Sequence, residues 1–530
     1  MKGEEAHISR RVGTVSFYTL LSRILGLVRD AVLAWAFGAT RAADAFYVAF
    51  RIPNLLRRFV AEGALTIAFV PIYTEQLKRS KKDGLEAASV VFTYLSLFLA
   101  LISVLGIAFA PFVVKVIALG FTDHPEKFEL TVFLTRIMFP YIMLISLVAL
   151  AMGILNSLKH FSAPAASPIF LNIGIIFGAV VLERTCVIPA EGVAIGVLIG
   201  GAMQLLIQIP VLIREGMLPR FNFNWRHPAL KGLLLLMIPS AFGAAVYQIN
   251  VVVITFLASY LPEGSVSYLW YADRVSEFPL GIFSLAVATV TLPTLSDHAA
   301  AKDITSLKKT MNYSLRLALL IDIPSSVGLY LLALPITQVL FERGEFSDKA
   351  AVATAAALGF FALKVPFVSG VRNLVPGFFA LKDARTPVYV AALAVVVNAA
   401  SAYLLMKPML HVGLALAIVI SSAVNLMVLV YLFRRKVGPI GARKLLASVA
   451  RTAVATAVMA AFLLAMMHYV PIEPHWRLWE KAGMLCLLIA GGGGIFLSLT
   501  WLINHEEFEA LSGLVRRRRK LTDLVSADPQ

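Results

Sequence analysis

Charged residues are scarce in this chain, and cysteines are scarcer still. Only 15% of its 530 residues are Asp, Glu, Lys or Arg, while 59% are hydrophobic. Soluble domains carry about 25% charged residues. The shortfall excludes a chain that hides its apolar groups only in a water-surrounded core. Acids are the rarer sign, 31 against 47 bases, for a formal net charge of +16. The two cysteines, Cys186 and Cys486, lie far apart in apolar contexts and read as inert buried thiols. No CxxC, HExxH or Cys/His cluster suggests a metal site. No GxxxxGK[ST] loop occurs, so the chain should not consume ATP. GxSxG is missing, and so is a loop aspartate pair of the kind metal-dependent glycosyl transfer needs. His124, His160 and His227 fall between apolar stretches and His411 at the edge of one, and all four read as solvated rather than catalytic. GGGG at 491–494 has no Lys-Ser/Thr after it, so it reads as a flexing or close-packing patch. The start, MKGEEAHISRRVG, shows no signal-peptide cleavage pattern, so the first span is expected to be retained.

What the chain does have is apolar stretches of spanning length. They lie at 12–37, 44–73, 88–119, 130–156, 163–183, 190–213, 231–259, 267–296, 312–338, 350–380, 386–406, 411–433, 447–470 and 481–503. The expectation is an all-α polytopic membrane protein with about 14 transmembrane helices. Basic clusters fall between the spans: KRSKK at 78–82, RRK at 434–436 and RRRRK at 516–520. Their alternation fits topology rather than nucleic-acid binding, because cytoplasmic loops are enriched in Lys and Arg. With a cytoplasmic N-terminus, the inside segments hold several times more Lys and Arg than the outside loops. Both termini are then inside.

The chain also repeats itself. RIPNLLRRFVAEGALTIAFVPIYTEQL from Arg51 is answered by RVSEFPLGIFSLAVATVTLPTLSDHAA from Arg274. Each runs into a charged loop, an apolar helix and a proline, Pro111 or Pro335. LNSLKHFSAP, ending at Pro164, parallels FFALKDARTP, ending at Pro387. GVAIG from Gly192 parallels GLALA from Gly413. Six helices followed by six more imply a parallel repeat about the membrane normal, a plan shared by many secondary transporters. The expected division is 1–225 and 226–436 for the two lobes, 437–505 for two added helices, and 506–530 for a basic tail.

Charges sit inside the expected spans. Each costs roughly 2.5–3.5 kcal/mol at a span centre, so such residues face the bundle interior or water. The first helix carries Arg23, Arg29 and Asp30, with Arg23 and Asp30 on one face. In the second, Asp44, Arg51, Arg58 and Glu62 fall within about 40° of one another, with Arg57 beside them and Pro53 in the middle. The eighth holds Asp273, Arg274 and Glu277 before Pro279, and the tenth holds Lys364 and Arg372. Headgroup snorkelling or ion-pair locks would explain some of them. Arginine outnumbers acid, however, and repeat-related helices share the pattern. A cationic, water-filled cavity between the halves and an anionic, phosphorylated substrate explain that better, since the guanidinium fork suits phosphate.

SRILGLVRD, GATRAADAFYVAFRIPNLLRRFVAEGALTIAFVPIY and SYLWYADRVSEFPLG resemble the MurJ (MviN) family, bacterial flippases for lipid II. The likeness runs over nearly the whole chain, including FPYIMLISLVALAMGILNSLKHFSAPA and VPGFFALKDARTPV. It implies two six-helix lobes of the MOP exporter superfamily in a V, with the last two helices forming a groove for the lipid tail. It implies movement of this undecaprenyl-diphosphate-linked peptidoglycan precursor across the bacterial inner membrane. Family positions important for flipping match Arg23, Arg29, Arg57 and Arg274, with acidic positions at Asp44 and Glu277. Arg57 is singled out by the resemblance, not by periodicity. Arg58 and Arg372 complete the expected substrate set, and Lys364 matches no family pattern. Asp30, Arg51, Glu62 and Asp273 are expected ion-pair or structural residues. No cofactor is expected. Membrane potential or a monovalent cation could reset the cycle, with Asp273, Glu277 and Asp383 as candidate contacts. Expected partners are lipid II, membrane lipids and other cell-wall synthesis proteins. Rival readings are a drug/cation antiporter or polysaccharide-lipid flippase of the same superfamily, an intramembrane enzyme on polyprenyl phosphates, or a scaffold.

Overall fold

The computed structural model describes residues 2–57, 65–281, 285–471, 476–505 and 507–509. Every regular element among them is a helix. The chain is an all-α, multi-pass membrane protein. Nine of its described helical stretches are long and apolar enough to cross a bilayer. One of these, 385–437, covers two expected spans and breaks at Leu410, where φ is 52°. The expected spans at 12–37, 44–73, 231–259 and 267–296 are helical where described.

Two compact units divide between Val266 and Ser267. The first holds α1 (Lys2–Phe37), α2 (Arg41–Arg57), α3 (Thr66–Arg79), α4 (Lys81–Ala108), α5 (Ala110–Ile117) and α6 (Pro125–Met138). It continues with α7 (Tyr141–Ser157), α8 (Ser162–Val180), α9 (Pro189–Leu206), α10 (Ile209–Arg214) and α11 (Pro228–Ala258). The division lies beyond the expected 225/226 boundary because α11 packs on α3, α4 and α5. α12 (Ser265–Pro279) begins at the division. The second unit continues with α13 (Leu285–Ala300), α14 (Ile304–Leu331), α15 (Ala333–Phe341) and α16 (Asp348–Ala380). α17 (Arg385–Val437), α18 (Ala442–Tyr469) and α19 (Leu478–Ile503) complete it. α18 packs on α14, and α19 on α15 and α18.

The first unit is drawn tight by glycine. Gly174 and Gly178 of α8 face Gly192, Gly196 and Gly200 of α9. A Cβ on Gly174 would fall 2.5 Å from the Gly200 backbone. Small residues one turn apart let membrane helices touch along their backbones. The opposite side of α8 is thereby held against α1. The second unit has a layered apolar core at one end, where Phe378 and Phe433 meet edge-on at 5.2 Å among Leu307, Met311 and Leu374.

The repeat is written in the backbone. Ser80 caps α4 by accepting from the Asp83 amide at 3.0 Å, and Asp303 caps α14 from Ser306 at 2.9 Å. α4 breaks at Phe109 (φ −95°, ψ 16°) and α14 at Leu332 (φ −92°, ψ 13°). α7 and α16 both end on a lysine in the left-handed region, Lys159 (φ 65°) and Lys382 (φ 59°). The next residue of each loop is tied to the end of the unit's sixth span. His160 meets Glu215 at 2.9 Å, and Asp383 accepts from Lys436 at 2.6 Å. The tie recurs with its donor and acceptor exchanged.

Several expectations change. Cys186 and Cys486 are free thiols, but Cys486 is exposed on α19 and Cys186 half-buried, so neither lies in a core. His411 is not solvated: its Nε2 lies 2.9 Å from the Ala353 carbonyl, and its ring is 5.1 Å from Tyr268. His227 caps α11 by accepting from the Ala229 amide. Gly491 and Gly492 pack closely on Phe462 and Leu463, whereas Gly493 and Gly494 face open space.

Candidate functional site

In the first unit, α1 carries its charges on a helix held by α8. Arg29 is buried, and its Nη2 and Nε donate to Asp30 Oδ1 at 2.7 and 3.0 Å. Its Nη1 donates to Asn172 Oδ1 at 3.1 Å. Asn172 in turn donates to the Ser22 carbonyl at 3.1 Å, so one amide spans two turns of α1. A buried charge is tolerated only when paired and hydrogen-bonded. Arg29 has both. Arg23 lies half-buried on α1, with no hydrogen-bond or ionic partner among the described residues.

Asp44, in the first turn of α2, is 1% exposed. Lys127 of α6 donates to its Oδ2 at 2.7 Å, and the Gly264 amide donates to the same oxygen at 2.9 Å. Lys127 also lies over the Phe121 ring at 4.1 Å. Asp44 thus joins α2, α6 and the stretch before α12, with its carboxylate covered. Arg51 donates to the Thr255 hydroxyl of α11. Arg57 closes α2, and its Nε donates to Asn54 Oδ1 at 3.1 Å. Arg58 and Glu62 lie outside the described residues.

In the second unit the charges converge on α12 and α16. Lys364 is buried on α16, reaches Asp273 of α12, and lies over Phe361 at 4.4 Å. Arg274 stacks on Trp270, one turn before it, at 4.9 Å. Arg372 Nη2 faces Glu277 Oε2 at 3.5 Å and its Nη1 the Leu280 carbonyl at 3.5 Å, both side chains being partly exposed. The helix pair thus gathers Asp273, Arg274, Glu277, Lys364 and Arg372. Lys127, Asn172 and Trp270 escaped the sequence reading. Trp270 alone left a signal, four residues ahead of Arg274 on the same helical face. Among the described residues, no group of three His, Cys, Asp or Glu is placed to hold a metal ion.

Residues 33–478 match the family model described as Lipid II flippase MurJ. The chain belongs to the MurJ family. A lipid II flippase MurJ from Burkholderia cenocepacia is 39% identical over 435 residues, covering 81% of this chain and 84% of the relative. A probable lipid II flippase MurJ from Vibrio cholerae is 38% identical, covering 92% and 95%. Among solved structures, the inward closed conformation of a lipid II flippase MurJ aligns with TM-score 0.76 at 28% identity. It covers 91% of this chain and 98% of that one. An inward-facing MATE-family multidrug transporter of the MOP superfamily aligns with TM-score 0.66 at 15% identity, covering 78% and 95%, a likeness of fold alone.

Proposed function

We propose that this chain moves lipid II from the cytoplasmic to the periplasmic leaflet of the bacterial inner membrane by alternating access, for peptidoglycan synthesis. The match of residues 33–478 to the MurJ family carries this reading. The ionic pattern disfavours a cationic cargo. Asp30, Asp44, Asp273 and Glu277 each contact a base: Arg29, Lys127, Lys364 and Arg372. A drug/cation antiporter would want such acids facing its cargo, not neutralised by neighbouring bases. We assign the diphosphate to Arg23, Arg29, Arg57, Arg274 and Arg372, with Arg58 as a further candidate. Asp44 and Glu277 hold cations in place beside them. No chemical step is assigned to the protein; its work is differential affinity for the diphosphate in two states. Membrane potential or a monovalent cation resets the cycle. Both termini are cytoplasmic in this reading, from the Lys and Arg bias of the loops. α18 and α19 serve the polyprenyl tail, and other wall-synthesis proteins are the expected partners.

Reconstitution into vesicles containing labelled lipid II tests the reading. The native chain should speed transbilayer movement over protein-free vesicles. Arg57→Ala and Arg274→Ala should each slow it about tenfold or more, since a hydrogen bond to a charged group contributes about 1.5–3 kcal/mol. A native chain no faster than bare vesicles overturns the function. Variants as fast as the native chain overturn the site.

A further inference from the structure

The stretch between α10 and α11 is a strap that lies on a membrane helix. Its sequence, RFNFNWR from Arg220 to Arg226, alternates aromatic and amide side chains. The amide edge is pinned to α4. The Arg220 amide donates to Ser89 Oγ at 3.1 Å, and the Asn222 amide to Thr93 Oγ1 at 2.8 Å. Tyr94 Oη donates to the Phe223 carbonyl at 2.9 Å. Asn222 Oδ1 accepts from the Asn224 amide at 3.0 Å, and the Trp225 amide donates to the Phe223 carbonyl at 2.8 Å. The aromatic edge is largely uncovered: Phe221, Phe223 and Trp225 are 66%, 64% and 66% exposed, with the Phe221 ring leaning on Phe92 of α4 at 5.3 Å and stacked on Phe223 at 6.4 Å. Arg226 stacks on Trp225 at 5.1 Å.

Depth follows from α4. Its charges stop at Glu86, and residues 87–108 carry none. All three anchors lie within that uncharged run. Leu97, Phe98 and Leu101, further along the same helix, are at least half exposed, as lipid-facing groups are. Non-helical backbone at such a level needs partners for its polar groups. The hydroxyls of Ser89, Thr93 and Tyr94 supply them.

The internal repeat shows that the strap is not needed to make the connection. Asn312 of α14 stands at the repeat position of Ser89, and it also catches the following loop, donating to the Ile440 and Gly441 carbonyls at 2.8 and 3.1 Å. There the chain turns straight into α18 at Ala442. Residues 221–227 have no counterpart.

We propose that this strap is an interfacial lipid-binding element. Its aromatic edge sits in the headgroup–acyl boundary of the leaflet at the N-terminal end of α4, with Arg220 and Arg226 turned to lipid phosphates. The amphipathic ring of Trp225 favours that layer, the two phenylalanines bury their apolar rings at its acyl side, and arginine reaches up to the headgroups. The occupant is phospholipid, which meets both the apolar edge and the flanking positive charge.

Tryptophan quenching in nanodiscs tests it. The chain has six tryptophans, so the Trp225 signal is the native emission minus that of Trp225→Phe, or of Trp225→Tyr if the first variant does not fold. Lipids brominated near the headgroup end of the acyl chain should quench this signal about twofold more than lipids brominated near the methyl end, as expected for an interfacial ring. Aqueous iodide should have little effect. The double variant Phe221→Ser/Phe223→Ser should raise iodide quenching of Trp225 severalfold. Quenching by iodide and not by bromolipid in the native chain overturns the proposal and places the strap in water, as a surface for a protein partner. Stronger quenching from the methyl end overturns the interfacial depth.

Discussion

At the scale of the residue, the telling group is Arg29 with Asp30 and Asn172. Three hydrogen bonds fix the guanidinium, two of them to one carboxylate oxygen. Asp30→Ala should cost about 3–5 kcal/mol, since it strands a buried cation. Asn172→Ala should cost about 1–3 kcal/mol, the penalty for leaving buried polar groups unpaired. Thermal unfolding in nanodiscs measures both. The joint change Arg29→Met/Asp30→Leu should recover most of the stability, because an apolar pair of similar volume often replaces a buried ion pair without loss. If Arg29 meets the diphosphate, flipping stays lost in that stable variant. The charges themselves could be read from sequence, since an apolar background makes them conspicuous. Their partners could not. Lys127 lies 83 positions from Asp44, and no helical period connects them. At the N-terminal end of α6 it resembles any headgroup lysine. Lys364 matched no pattern, and its pairing with Asp273 emerges only in the fold.

At the scale of the element, the helix ends carry the lesson. Lys159 and Lys382 occupy left-handed backbone after α7 and α16. That conformation costs a residue with a Cβ about 1–2 kcal/mol and glycine little. Lys159→Gly and Lys382→Gly should therefore each stabilise by about 1 kcal/mol, read as a rise in midpoint temperature. A fall at either position would mean that the lysine side chain contributes more than the backbone strain costs. These ends were hidden in the sequence because no glycine marks them. The breaks after α4 and α14 were hidden differently. Pro111 lies in the first turn of α5, where its missing N–H leaves no bond unmade, so a proline expected within one long span begins a second helix.

At the scale of the whole molecule, duplication is the organising fact, and hydrophobic periodicity with a near-constant offset made it readable. The division at Val266 was not readable, because it depends on which neighbours α11 chooses. The tie in the second half is sensitive to acid. Lys436, with the amide and hydroxyl of Thr386, holds the Asp383 carboxyl well below the usual carboxylate range. A depressed folded-state pKa adds stability that is complete above the unfolded value, about 4, and fades as the pH falls below it. Asp383→Asn should lower stability by about 1 kcal/mol or less at neutral pH, given the exposure of Lys436. The gap to the native chain should narrow as acid approaches the folded-state value. A gap that does not change with pH would remove the carboxylate from the account.

The exchanged roles in these ties also separate the join from its chemistry. His160 with Glu215, and Asp383 with Lys436, bind the same loop to the same helix end with donor and acceptor exchanged. No single substitution turns one arrangement into the other without passing through a mismatched pair. Both positions of the tie differ between the halves, so at least two substitutions separate one arrangement from the other. What the halves have in common is therefore the join and not the residues that make it.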